Sequence, residues 1–213
     1  MRILGVCGSL RKGSFNARLL AAVRPLAPDG MTIDVFDRLG DLPLYNEDLD
    51  SRDGGPAEAE VWRDAVRQAD GLLIVTPEYN SSIPGVLKNA VDWASRPVRD
   101  AALHGKSVVT MVATTGGGLG RNVLADLGRV LHDCHAHVIS GPWVVLTEAQ
   151  NKLADVEDEQ GQFVPTISDP LTQRIAKVQL ESLATAVESG AGDHAVAPLR
   201  AFFAAMPPRP PRP

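Results

Sequence analysis

Short apolar runs, each followed by a stretch with helical spacing, recur along this 213-residue chain, and that alternation restricts its fold more than any other feature. Arg2 to Cys7, Thr32 to Phe36, Gly71 to Thr76 and Ser107 to Ala113 read as strands, and His137 to Leu146 contains a fifth. Continuous apolar runs of this length suit parallel strands covered on both faces. Helical faces follow Asn16 (Leu19, Leu20, Val23) and Pro84 (Val86, Leu87, Ala90, Val91). Others run from Leu119 through Val123, Leu127, Val130 and Leu131, and from Leu171 through Ile175, Val178, Leu183 and Val187. The alternation predicts an α/β domain, a doubly wound five-stranded parallel sheet with helices on both faces. Five strands favour the order 2-1-3-4-5, and no sixth strand is found for the larger dinucleotide-binding sheet.

The length suits one domain, placed at 1–190. The Pro/Ala-rich remainder, 191–213, ends in Pro207-Pro208-Arg209-Pro210-Pro211-Arg212-Pro213 and is expected to be a disordered or extended tail, since proline removes donors and blocks helix. It has the look of a proline-rich ligand, but an uncollapsed tail is the favoured reading. The acidic stretch Asn151 to Ser168, with the turn signal Asp158-Glu159-Gln160-Gly161, does not fit the alternation. A formal charge of −5 argues against bulk nucleic-acid or anionic-membrane partners. Cys7 and Cys134 show neither metal spacing nor a disulfide framework, and Cys7 in its apolar run reads as an inert thiol. With no signal-peptide pattern and no membrane-length apolar run, a reducing, cytoplasmic setting is expected.

Three loops follow the first, third and fourth strands. The first is Gly8-Ser9-Leu10-Arg11-Lys12-Gly13-Ser14-Phe15-Asn16. Opening a helix, it offers free N–H groups and a partial positive charge, with Arg11, Ser9, Ser14 and Asn16 as further donors, which suits a phosphate monoester. For Ser14 alone, a plain helix N-cap is an equal reading. The spacing is neither that of a Walker A loop nor of a dinucleotide fingerprint. The second loop is Thr76-Pro77-Glu78-Tyr79-Asn80-Ser81-Ser82-Ile83-Pro84-Gly85, with an aromatic face at Tyr79 and polar contacts at Asn80. In the order 2-1-3-4-5, strands 1 and 3 flank the switch point, so these two loops should line one crevice. The third loop, Thr114-Thr115-Gly116-Gly117-Gly118-Leu119-Gly120, lets backbone approach a ligand closely.

These segments resemble the NADPH-dependent FMN reductase family, which includes quinone, azo and chromate reductases on a flavodoxin-like fold. The resemblance is carried by GSLRKGSFN (Gly8 to Asn16), LPLYNEDL (Leu42 to Leu49), PEYNSSIPGVLKNAVDW (Pro77 to Trp93) and TTGGGLGRN. It spans roughly residues 1–190. It implies that Ser9, Arg11, Ser14 and Asn16 hold the FMN phosphate, with Phe15 in the same cofactor loop. Pro77, Glu78, Tyr79 and Asn80 would contact the isoalloxazine and ribityl region, and Thr115, Gly116 and Gly117 would border the ring. Lys88, Asn89, Asp92 and Trp93 are read as packing or subunit contacts. Ser81 stands where some relatives carry an aromatic, implying a more open substrate wall.

The implied activity is ping-pong hydride transfer from NADPH or NADH, through bound FMN, to a small-molecule acceptor such as a quinone, azo dye, metal oxyanion or free flavin. The implied assembly is a homodimer or homotetramer. No metal and no catalytic side chain is expected, because the flavin carries the chemistry. His104, His132, His135 and His137 read as surface or packed histidines, and Asp70 and Asp133 as caps or surface charges. The rival reading is a flavodoxin-like electron carrier without its own substrate. Such carriers are usually strongly acidic with aromatics on both flavin faces, whereas this chain is mildly acidic and Tyr79 is the sole aromatic of the second and third loops. A receiver-type domain would need acids at the end of the first strand, where Gly8, Ser9 and Arg11 stand.

Overall fold

The computed structural model describes residues 1–50, 54–116, 120–158 and 160–207. Its central strands are β3 (Gly71–Val75) and β4 (Ser107–Ala113), in which every residue is buried. Such strands need cover on both faces, and they have it. β1 (Arg2–Cys7) pairs in parallel with β3 and with β2 (Thr32–Phe36), giving the predicted order β2-β1-β3-β4-β5. β2 alternates exposed and buried residues at its start, as an edge strand does. The fifth position is split. β5 (His137–Val138) pairs with Ser107 and Val108, and β6 (Val144–Leu146) pairs with Met111 to Ala113. Between them lies Gly141-Pro142, and a proline has no N–H to give the ladder.

Successive strand residues point to opposite faces, so two cores form. Ile3, Leu73 and Val109 face α1 (Phe15–Val23) and α6 (Pro170–Glu188), meeting Leu19, Leu20 and Leu180. Leu4, Leu72 and Val108 face α2 (Ala57–Gln68), α3 (Gly85–Ala94) and α4 (Arg121–Asp133), meeting Trp62, Trp93 and Leu127. Periodicity in the sequence did not reveal α2. Its buried stripe is Ala59, Trp62, Arg63 and Val66, so a charged residue stands where the pattern needs an apolar one.

α5 (Ala149–Lys152) leads into the acidic segment, which is an antiparallel hairpin of β7 (Leu153–Glu157) and β8 (Phe163–Ile167). The Asp158 carboxylate closes its turn by accepting from Gln160 N and Gln162 N at 2.9 and 2.8 Å. Arg18 on α1 ties the hairpin down through Leu153 O and Asp155.

The expected disordered tail is corrected over much of its length: α7 (Ala191–Ala205) is a helix. Alanine, the strongest helix former, outweighs the single internal Pro198. Tertiary contacts secure it. Val196 is buried, Arg200 donates to His104 O at 3.1 Å, and Arg99 donates to Pro207 O at 2.7 Å. A Cβ on Gly192 would lie 1.8 Å from Gly105 O, so only glycine lets the two backbones meet. The Pro-Arg end, 208–213, lies outside the described residues.

His104 lies under α7, 8% exposed, its ring stacked on Phe203 at 6.1 Å and edge-on to His135 at 5.4 Å. Burial, then the charges of His135 and Arg200, hold its pKa below the ordinary histidine value, against a smaller upward pull from Asp100. A histidine harder to protonate folded than unfolded makes the unfolded chain bind more protons in acid. Stability is therefore expected to fall as pH drops below about 6.5. Thermal unfolding from pH 8 to 5 measures the slope. A His104→Phe variant should lose part of it, and an identical slope in that variant would count against His104.

Candidate functional site

β1 ends at Cys7, and Gly8 N continues its ladder by donating to Val75 O at 2.9 Å. A Cβ on Gly8 would stand 2.3 Å from Thr76 Oγ1, so glycine is what allows the first and second loops to touch at their roots. The chain then turns, with Ser14 N donating to Arg11 O at 3.0 Å. Ser14 is the N-cap of α1, accepting from Asn16 N and Ala17 N at 3.2 and 3.3 Å. The capping reading of this serine is thus realised. Among the described residues, the amides of Lys12, Gly13 and Phe15 have no protein acceptor, and the first turn of α1 holds no acid. Arg11 is exposed and lies over the Phe15 ring at 5.8 Å, while Arg11 N donates to Ser9 Oγ at 3.4 Å. A helix start with free amides, a nearby guanidinium and no opposing carboxylate fits the phosphate of FMN. The Cys7 thiol donates to Ser9 O at 3.6 Å, and burial raises its pKa, so it stays protonated.

Asn16 does something else with its side chain. It is 3% exposed, donates to Ala113 O at 2.9 Å and accepts from Ala113 N at 2.8 Å. β3 stops before it can pair with Ala113, and the Asn16 carboxamide supplies the two missing ladder bonds. It thereby fixes the start of α1 against β4.

In the second loop Tyr79 and Ser82 exchange both backbone hydrogen bonds at 3.1 Å, with Asn80 and Ser81 at φ 50° and 63° between them. A two-residue turn of this hand requires positive φ at both positions; asparagine tolerates it and serine less so. The turn holds Tyr79 half exposed. Glu78 points at α4, where one carboxylate oxygen accepts from Gly120 N at 3.0 Å and Val123 N at 3.2 Å. Ser82 donates to Asp126 of the same helix at 2.7 Å. Further along, Asn89 and Trp93 bind Pro43 O, and Asn89 also accepts from Tyr45 N, so these motif residues pack the Leu42–Leu49 segment.

In the third loop Thr115 is exposed, Gly116 N donates to Thr114 Oγ1 at 3.2 Å, and Gln150 donates to Thr115 O. Gly117 lies outside the described residues. Sequence reasoning did not find the Asn16, Glu78 and Asp126 tethers, because their partners are distant in the chain and only the fold joins them. A groove of about 340 Å³ runs beside Ser9 and Leu10, between α1 and the end of β2, on the side of β1 away from the second and third loops. Among the described residues there is no cluster of His, Cys, Asp or Glu able to hold a metal, and no helix long and apolar enough to cross a membrane.

Residues 1–151 match the model of the NADPH-dependent FMN reductase family. The chain belongs to that family. It is therefore an oxidoreductase with FMN as cofactor and a nicotinamide nucleotide as reductant. It is 37% identical over 164 residues to a quinone reductase of Escherichia coli strain K12, covering 77% of this chain and 85% of that one. It is 38% identical over 183 residues to an NAD(P)H-dependent FMN reductase of Pseudomonas aeruginosa, covering 86% and 93%. Among solved structures, a flavoenzyme NAD(P)H:(acceptor) oxidoreductase from Paracoccus denitrificans superposes with a TM-score of 0.74 at 27% identity, covering 89% of this chain and 98% of its own.

Proposed function

We propose that this member of the FMN reductase family reduces quinones and free flavin with NAD(P)H by a ping-pong cycle, reductant and acceptor taking turns at one open face of the site. FMN held there would supply the two-electron chemistry that couples oxidation of the nicotinamide nucleotide to reduction of the acceptor. The reading rests on one observation: the loops after three neighbouring strands are brought together, Gly8 packing against Thr76, Asn16 bonded to Ala113 at the end of β4, and Glu78 bonded to the start of α4. In this proposal the free amides at the start of α1, with Ser9, Ser14 and Arg11, bind the phosphate, and Phe15 supports Arg11. Asn16 acts through its grip on β4. Pro77, Tyr79 and Asn80 lie along the ring and ribityl chain, and Thr115 and Gly116 border the ring. The protein supplies position and charge, and no side chain is assigned a proton. Homodimer or homotetramer assembly and a cytoplasmic setting belong to the same proposal, the latter supported by two free cysteines.

Initial rates with NADPH and benzoquinone, each varied at fixed levels of the other, should give parallel double-reciprocal lines. Intersecting lines would exclude the ping-pong order, and no NADPH oxidation by FMN-loaded protein would exclude the activity. Arg11→Ala is expected to weaken FMN binding by about 1.5–3 kcal/mol, the value of a charge-assisted hydrogen bond. An unchanged Kd in flavin-fluorescence titration would remove Arg11 from the site.

A further inference from the structure

The second loop is strapped to α4 twice, through Glu78 on Gly120 N and Val123 N and through Ser82 on Asp126. In the first strap the second loop supplies the carboxylate; in the second it supplies only a hydroxyl, and the acid, Asp126, belongs to α4 itself. Gly120 is the N-cap of α4, at φ 109°, and a Cβ there would stand 2.9 Å from the Val112 side chain, so this helix starts where glycine alone fits. The first turn of α4 contains no acid of its own. Its N–H groups and partial positive charge are answered instead by a carboxylate from a different loop, 42 and 45 residues earlier in the chain.

α4 begins at the far end of the glycine loop, and Glu78 stands between Pro77 and Tyr79 of the second loop. The two loops joined by this bond are those proposed to border the flavin ring, and the role inferred for Glu78 rests on that reading. Reduction places negative charge on the ring. A bare helix N-terminus nearby would favour that charge, and a carboxylate placed on the same N-terminus opposes it. We propose that Glu78 is a positioning residue that sets the flavin potential: it clamps the second loop to α4 and, by neutralising the α4 N-terminus, keeps the bound flavin a stronger reductant than the bare helix end would allow. A cap required only for folding would give the clamp without the effect on potential.

The two roles separate in Glu78→Gln. The amide keeps an oxygen to accept from Gly120 N and Val123 N but removes the charge. Spectroelectrochemical titration of the FMN-loaded variant is expected to show reduced FMN favoured over oxidised FMN by roughly tenfold more than in wild type, a rise of about 30 mV for a two-electron couple. Glu78→Asp, which retains the charge, should return most of the shift. Arg121→Glu, at the exposed first residue of α4, should move the potential the other way, and it tests the idea even if Glu78→Gln fails to fold. Ser82→Ala, which removes the bond to Asp126 but no charge and leaves Glu78 on the α4 N-terminus, should change the potential far less than Glu78→Gln does. Unaltered potentials in Glu78→Gln and Arg121→Glu, with FMN bound, would overturn the proposal. Wild-type protein that binds no FMN would instead overturn the functional reading beneath it.

Discussion

Asn16→Ala is expected to destabilise the protein by about 3 kcal/mol and to weaken FMN binding in the same variant. The side chain is buried and both ends of its amide are engaged, by Ala113 O and Ala113 N. Alanine leaves a buried donor and a buried acceptor without partners, each costing about 1–3 kcal/mol. For a chain of this size that corresponds to a fall in Tm of about 6–12 °C. The effect on binding comes from position: with the tie to β4 gone, the start of α1 is no longer held at the end of the sheet. Asn16→Asp should do little better, since a carboxylate can accept from Ala113 N but cannot donate to Ala113 O. Denaturant unfolding measures the first effect, and a loss below about 0.5 kcal/mol would show that the Ala113 groups find other partners.

Arg63→Ala should cost about as much or more, roughly 3–5 kcal/mol. The guanidinium is 2% exposed on the core face of α2 and satisfies four neighbours: Asp50 and Glu60 at 2.7 Å each, Trp93 O at 2.9 Å, and the Trp93 ring at 5.3 Å. The penalty comes chiefly from what is left behind, because the Asp50 side chain is only 11% exposed and loses its only ion-pair partner among the described residues. Arg63→Met/Asp50→Asn, which removes the stranded charge as well, should recover part of the loss. Equal stability of the single and double variants would show that Asp50 is not stranded. Arg63 lies in the α2–α3 layer, away from the phosphate loop, so FMN affinity per folded molecule should change little in either variant.

These two residues also mark where the sequence was and was not legible. The strands were readable because burial on both faces leaves unbroken apolar runs, as in β3 and β4, and the order of the sheet followed from the helices between them. α2 was not, because Arg63 sits on its buried stripe and is satisfied by partners that periodicity cannot show. The split fifth strand depends on Gly141-Pro142, and α7 was masked by a composition of Gly, Ala and Pro whose helix is secured by contacts such as Gly192 on Gly105. At the site, the three loops could be placed because each follows a strand. The bonds that fasten them could not, because Asn16 and Ala113 are 97 residues apart. Glu78 shows the same limit: the motif pointed it toward the cofactor, and its bonds to α4 are visible only in the folded chain.

The central claim is that the loop at the start of α1 anchors FMN through its phosphate, and a comparison of FMN with riboflavin tests it most directly. Both carry the same ring and ribityl chain, and only FMN carries the anion. Parallel fluorescence titrations of the purified apoprotein should show FMN binding at one site per chain and at least about tenfold tighter than riboflavin, with Arg11→Ala narrowing the gap. Equal affinities for the two flavins would contradict the account.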